Sequence, residues 1–151
     1  MTRRVAAMAA LSLVGVGVAG YLTVVHYTGG DPVCAVGHGC QTVQQSEYAD
    51  LAGVPVALIG LIGYVAILVS LAVLRGETGR LARVAMTAGG FAFSAYLTYL
   101  ELFVIDAICQ WCVASAVIMT ALLVLAVIDF LHPPAAATPA GPGTARSPAR
   151  R

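Results

Sequence analysis

Charge is what this chain has least of. Only 10% of its 151 residues are charged and 60% are hydrophobic, with a mean hydropathy of +0.90. Such a chain cannot cover a globule with polar surface, so the composition excludes the soluble class and is that of a membrane protein. Lysine is absent, and the whole basic complement is eight arginines. They build no basic face, and nucleic acid is not expected as a partner. No internal repeat is evident, and the length leaves no room for an additional soluble domain. No A-x-A cleavage site follows the first apolar run, which is also too long for a signal peptide. That run is therefore expected to stay as a span.

What is there is hydrophobic length. A bilayer core about 30 Å thick takes roughly 20 helical residues. Four stretches meet this requirement: Val5–Tyr27, Val54–Leu74, Val84–Val104 and Cys109–Leu131. Gly15, Gly17, Gly20, Gly60 and Gly63 fall inside them, where small residues let membrane helices approach closely. The arginines sit at Arg3 and Arg4, at Arg75, Arg80 and Arg83, and at Arg146, Arg150 and Arg151. None lies in Thr28–Gly53, which carries Asp31, Glu47 and Asp50. The positive-inside rule places both termini and the Arg75–Arg83 loop in the cytoplasm. The expected architecture is an all-α integral membrane protein, a four-transmembrane-helix bundle. Its membrane domain covers 1–131, and a disordered Pro/Ala-rich cytoplasmic tail covers 132–151.

The scarce chemistry lies at the opposite face. Cys34 and Cys40 occupy the longest polar segment, and Cys109 and Cys112 form a Cys-Gln-Trp-Cys motif where the last span begins. A Cys-x-x-Cys at a helix start favours a thiolate, and thiolates exchange disulfides. The extracytoplasmic face is an oxidising place in which disulfides persist. Cys34 and Cys40 alone fit a permanent loop staple as well as a reducible bond, and Cys109 and Cys112 alone fit two apolar membrane cysteines. Together they favour a redox relay. A closed zinc site from four thiolates is the metal alternative, but an extracytoplasmic dithiol tends to oxidise instead, so no metal is expected. His38, between the loop cysteines, is placed to stabilise a thiolate when protonated or simply to be solvated.

Other residues complete the picture. Val43–Leu51 alternates polar and apolar residues in a way that fits a short helix lying on the membrane surface. Gly53-Val54-Pro55 is expected to open the second span, with Pro55 in the first turn. Glu101 is an acid inside a span, which is costly and by default functional. It lies about two helical turns before Cys109. Tyr96, Tyr99 and Trp111 suit an aromatic belt. Asp106 flanks the turn before Cys109, and Asp129 lies near the inner end of the last span.

These residues together resemble a known family. The order runs Cys34–x5–Cys40, Ser46, Gly53-Val54-Pro55 with Gly60 and Tyr64, then Tyr96-Leu97 through Glu101-Leu102-Phe103 into Cys109-Gln-Trp-Cys112. It is similar to bacterial members of the vitamin K epoxide reductase family over about residues 5–131. The resemblance implies a four-helix bundle around a quinone, menaquinone or ubiquinone, in the inner membrane. It implies that Cys34 receives a mixed disulfide from a DsbA-like thioredoxin-fold protein, that Cys40 exchanges with Cys109, and that Cys112 faces the quinone. Ser46 matches the family's loop Ser/Thr near the site. Tyr48, Val56, Ile59, Leu97, Glu101 and Ala116 match positions lining the quinone pocket. Val56 and Ala116 stand where the animal enzymes carry an Asn and a Tyr that bond vitamin K, which points to plain quinone reduction rather than epoxide reduction. Some bacterial members carry a fused thioredoxin-like domain; none follows here, so the partner is expected to be separate.

Two other readings compete. A DsbB-like oxidase also has four spans and two cysteine pairs, but its Cys-x-x-Cys lies in the first outer loop, whereas here it comes last. A non-catalytic membrane scaffold with two structural disulfides would carry inert bonds and bind no quinone.

Overall fold

The computed structural model describes residues 3–35 and 39–133. His38 and the tail from 134 onward lie outside the described residues. The chain runs through α1 (Arg3–Thr28), α2 (Gly39–Gln44), a 3-10 turn at Glu47–Ala49, β1 (Asp50–Leu51), β2 (Val54–Pro55), α3 (Val56–Val73), α4 (Gly76–Phe103) and α5 (Gln110–Leu131). The long helices hydrogen-bond their own backbones, which is what a segment crossing hydrocarbon requires. Three of them, α1, α3 and α5, are long and apolar enough to cross a membrane. The fourth, α4, has the length but not the apolarity. It is diluted by Arg80, Arg83, Thr87, Gly89, Gly90, Ser94 and Thr98.

The core forms where α1, α3 and α5 meet, around Met8, Ala19, Tyr64, Ile67, Ile118, Met119, Leu122 and Ala126. Helix α4 packs mainly on α5 and also on α3. Small residues set the close approaches. Gly15 of α1 faces Tyr64 so closely that a Cβ there would lie 2.5 and 2.6 Å from ring carbons Cδ1 and Cζ. On the far side, the Tyr64 hydroxyl shares a 2.8 Å hydrogen bond with Ser115 Oγ of α5. Gly90 of α4 receives Met119 of α5 in the same manner.

The end of the bundle away from the cysteines is closed by arginines. Arg83 Nη2 lies 3.5 Å from Asp129 Oδ2, and both residues are buried. Arg4 Nη1 donates to the carbonyl of His132 at 2.8 Å, in the unsatisfied last turn of α5.

Two boundaries depart from expectation. Val43–Leu51 is not one surface helix. The helix is α2, which starts at Gly39 and ends at Gln44, and the remainder folds as a 3-10 turn and a two-residue strand. Gly53-Val54-Pro55 does not open the second span either. Val54–Pro55 pairs antiparallel with Asp50–Leu51, with Leu51 opposite Val54. Ala52 and Gly53 both take positive φ (53° and 80°), the conformation of a two-residue type I′ turn. The helix α3 therefore begins at Val56 with Pro55 at its N-cap. A third boundary moves the other way. Helix α4 begins at Gly76 rather than Val84, so most of the Arg75–Arg83 segment is helical and Arg83 turns inward to Asp129.

Candidate active site

The two cysteine pairs meet at one end of the bundle. Cys34 and Cys40 are joined by a disulfide, while Cys109 and Cys112 are free thiols. Cys109 is the N-cap of α5 and Cys112 lies in its first turn. The segment leading to them leaves α4 at Phe103 and turns through Asp106, which holds a positive φ of 54°. That turn brings the chain back onto Glu101: the Cys109 amide donates to Glu101 Oε2 at 3.0 Å. The other carboxylate oxygen, Oε1, is buried without a hydrogen-bond partner among the described residues. The side chains of Glu101, Cys109 and Cys112 interact as close neighbours.

The loop disulfide is oriented by burial. Cys34 is half-exposed, whereas Cys40 is 1% and Cys109 0% exposed. The reason is Gly39, whose backbone rests on that of Ile108. A Cβ there would lie 3.0 and 3.2 Å from Ile108 C and N, and closer still to its carbonyl oxygen. Only a glycine admits that contact, and it sets the neighbour of Cys40 against the neighbour of Cys109. The disulfide thus shows one sulfur-bearing residue outward and the other toward the Cys-x-x-Cys.

Beneath the thiols lies a cavity of about 350 Å³ between α1, α3, α4 and α5. Cys112 is on its wall and Cys109 is not. Among the residues singled out from sequence, Ser46, Tyr48, Val56, Ile59, Leu97 and Glu101 also line it. Ala116 does not: α5 presents Cys112, Ser115 and Met119 to the cavity, the i, i+3, i+7 stripe, and position 116 falls beside that stripe. Ser46 spends its hydroxyl locally, donating to the Val43 carbonyl at 2.7 Å. The lining is otherwise aliphatic, aromatic and glycine, with Tyr64 and Ser115 adding a hydrogen-bonded polar pair. Ser115 was not singled out from sequence; its place one helical turn after Cys112 is the signal that could have found it.

Trp111 also has a different place from that expected. It packs at a tilt against Tyr21 with ring centroids 5.1 Å apart, lines the cavity, and donates its indole N–H to the Val33 carbonyl at 2.9 Å. Gln110 bonds the same strand of loop. Tyr96 and Tyr99 of α4 are exposed, as lipid-facing aromatics are. His26 in the last turn of α1 lies 3.5 Å from Asp50 of the hairpin. Among the described residues no group of acidic, histidine and cysteine side chains could hold a metal ion.

A disulfide with one half-buried and one buried cysteine, a dithiol beside a carboxylate, and an apolar cavity reached by one thiol make a device for passing electron pairs by thiol exchange. No curated protein matched the chain. The model of the vitamin K epoxide reductase family matches residues 6–127, which take in α3, α4, most of α1 and α5, and both cysteine pairs, and the chain belongs to that family.

Proposed function

We propose that this membrane thiol–disulfide oxidoreductase carries electron pairs from a DsbA-like thioredoxin-fold protein to a membrane quinone, menaquinone or ubiquinone, and so supports disulfide formation outside the cytoplasm. The observation that carries the reading is that Cys112 alone of the four cysteines lines the apolar cavity, while Cys34 is the more accessible end of the loop disulfide, half-buried where Cys40 is fully buried. The site lies in the inner membrane with both termini and the α3–α4 turn cytoplasmic, and α4 acts as the fourth span.

The residues of the cavity fit a quinone. Its walls are apolar, and the buried Glu101 Oε1, which has no hydrogen-bond partner among the described residues, would accept from a hydroxyl of the reduced ring. A quinone, when bound, supplies an acceptor for two electrons and two protons. The chain does the rest. A partner thiolate attacks Cys34 and releases Cys40; the partner's second thiol then frees Cys34 and leaves the loop as a dithiol. Cys40 attacks Cys109 and displaces Cys112, and Cys34 attacks Cys40 to release Cys109. The loop is oxidised again and Cys109 and Cys112 are thiols, the state seen here. Re-forming the Cys109–Cys112 bond releases two electrons and two protons to the acceptor. Glu101, beside both thiols, is placed to hold the proton that leaves Cys112.

The test is a quinone-reduction assay on the purified protein, with a reduced thioredoxin-fold protein or dithiothreitol as donor and short-chain ubiquinone or menadione as acceptor. Quinol formation that requires Cys112 supports the reading. Inert disulfides and no quinol would favour the structural scaffold instead.

A further inference from the structure

The two residues between Cys109 and Cys112 do more than space them. Gln110 bonds the loop backbone on both sides of Cys34. Its Oε1 accepts the Ala35 amide at 3.0 Å and its Nε2 donates to the Val33 carbonyl at 3.3 Å. The carboxamide thereby pairs with the loop as a neighbouring strand would. Trp111 Nε1 donates to the same Val33 carbonyl at 2.9 Å. The Val33 amide donates to the hydroxyl of Tyr21, at 2.9 Å, whose ring packs on Trp111. Four hydrogen bonds from three side chains thus converge on the backbone of Val33 and Ala35, the residues on either side of Cys34. Val33 itself is 70% exposed, so burial of its side chain does not hold it there. Polar bonds from the Cys-Gln-Trp-Cys motif do.

The geometry points to Gln110 and Trp111 as positioning residues that clamp the loop disulfide in register with the Cys109–Cys112 pair. The proposal rests on the relay reading above. The clamp acts on one step, the exchange in which Cys40 attacks Cys109 and Cys34 then attacks Cys40. That step conserves electrons within the chain: one disulfide is broken, one is made, and two thiols change places. Exchange needs three sulfurs in line, which an exposed loop of this composition would seldom hold unaided. Gly39 on Ile108 fixes the Cys40 side of the loop, and Gln110 fixes the Cys34 side. The motif is therefore both the acceptor of the electrons and the dock for their carrier.

The experiment isolates that step without a quinone. Protein freed of quinone, with both pairs oxidised, receives one equivalent of dithiothreitol, which reaches the half-buried Cys34 before the buried Cys40. Acid quenching, alkylation and peptide mass mapping then follow the appearance of thiols at Cys109 and Cys112. In Gln110→Leu the transfer should slow about tenfold, the loss of two modest hydrogen bonds. Gln110→Glu keeps the acceptor for Ala35 and loses the donor to Val33, so it should recover part of the rate. Trp111→Phe, which keeps the ring and loses the N–H, provides a variant less disturbing to the start of α5. It should slow transfer by about fivefold. Transfer at the wild-type rate in Gln110→Leu and Trp111→Phe would overturn the clamp. So would equal slowing in Gln110→Leu and Gln110→Glu accompanied by a lowered unfolding midpoint, which is the mark of a purely structural role. Adding menadione afterwards reports on the quinone reading separately. Wild-type transfer with no quinol would sink that reading and leave the clamp standing.

Discussion

Replacing Gly15 by alanine should cost far more than replacing Gly17 by alanine, although the two glycines lie two residues apart on α1. A Cβ at Gly15 would fall within 2.6 Å of three carbons of the Tyr64 ring, and nothing lies within 4 Å of a Cβ at Gly17. Tyr64 has little freedom to retreat, being 0% exposed and tied through its hydroxyl to Ser115. Forcing a methyl into such a site costs about 1–3 kcal/mol. Pulling the hydroxyl off Ser115 costs about 1 kcal/mol more. The gain in helix propensity from Gly to Ala, up to about 1 kcal/mol, is common to both variants and cancels in their comparison. The two should therefore differ by roughly 2–4 kcal/mol, or roughly 5–15 °C in unfolding midpoint for a chain of this length. Thermal unfolding in detergent, followed by circular dichroism, measures it. Adding Tyr64→Leu to Gly15→Ala should recover part of the loss, since the clash is with the ring. Equal midpoints for Gly15→Ala and Gly17→Ala would refute the claim that α1 and α3 meet through this notch.

Cys112→Ser should abolish quinol formation and leave the helical circular dichroism spectrum unchanged, because only this thiol lines the cavity. On air oxidation Cys40→Ala should trap on Cys34 a thioredoxin-fold protein whose second active-site cysteine is replaced, because neither resolving thiol remains, and the adduct should be visible as a reductant-sensitive band of higher mass; trapping only in Cys34→Ala would reverse the order of the two loop cysteines. Asp129→Ala leaves the buried Arg83 guanidinium unpaired and should destabilise by about 3–5 kcal/mol. The double change Arg83→Met, Asp129→Leu should recover most of that, as read by urea or thermal midpoints, because the desolvation of both charges goes with it. A reporter fused to the C-terminus should be active only on the cytoplasmic side; an external C-terminus would invert the orientation drawn from the arginines.

The sequence made the membrane spans and the sulfur chemistry visible because both depend on composition and local spacing. Three apolar runs became α1, α3 and α5 close to where their hydropathy placed them. Less local features were not legible. The Asp50–Pro55 hairpin turns on positive φ at Ala52, a residue without a turn preference of its own, so the second span was expected to start too early. Arg83 looked like a loop charge because its partner, Asp129, is distant in sequence and meets it only once α4 and α5 have packed. Trp111 looked like a belt aromatic because the carbonyl it bonds belongs to another segment. The family resemblance implies Ala116 on the cavity wall, yet helical phase gives that wall to Ser115 and Met119.

The last turn of α5 receives two arginines from earlier in the chain, Arg83 at Asp129 and Arg4 at the carbonyl of His132. During synthesis both cations emerge long before their acceptors, Arg4 by 128 residues. A nascent or truncated chain that stops short of this turn holds the Arg83 guanidinium without its carboxylate partner. Such a chain should be recognisable to membrane quality control and short-lived. Completion of the final helical turn would then act as the latch that releases the finished bundle from surveillance.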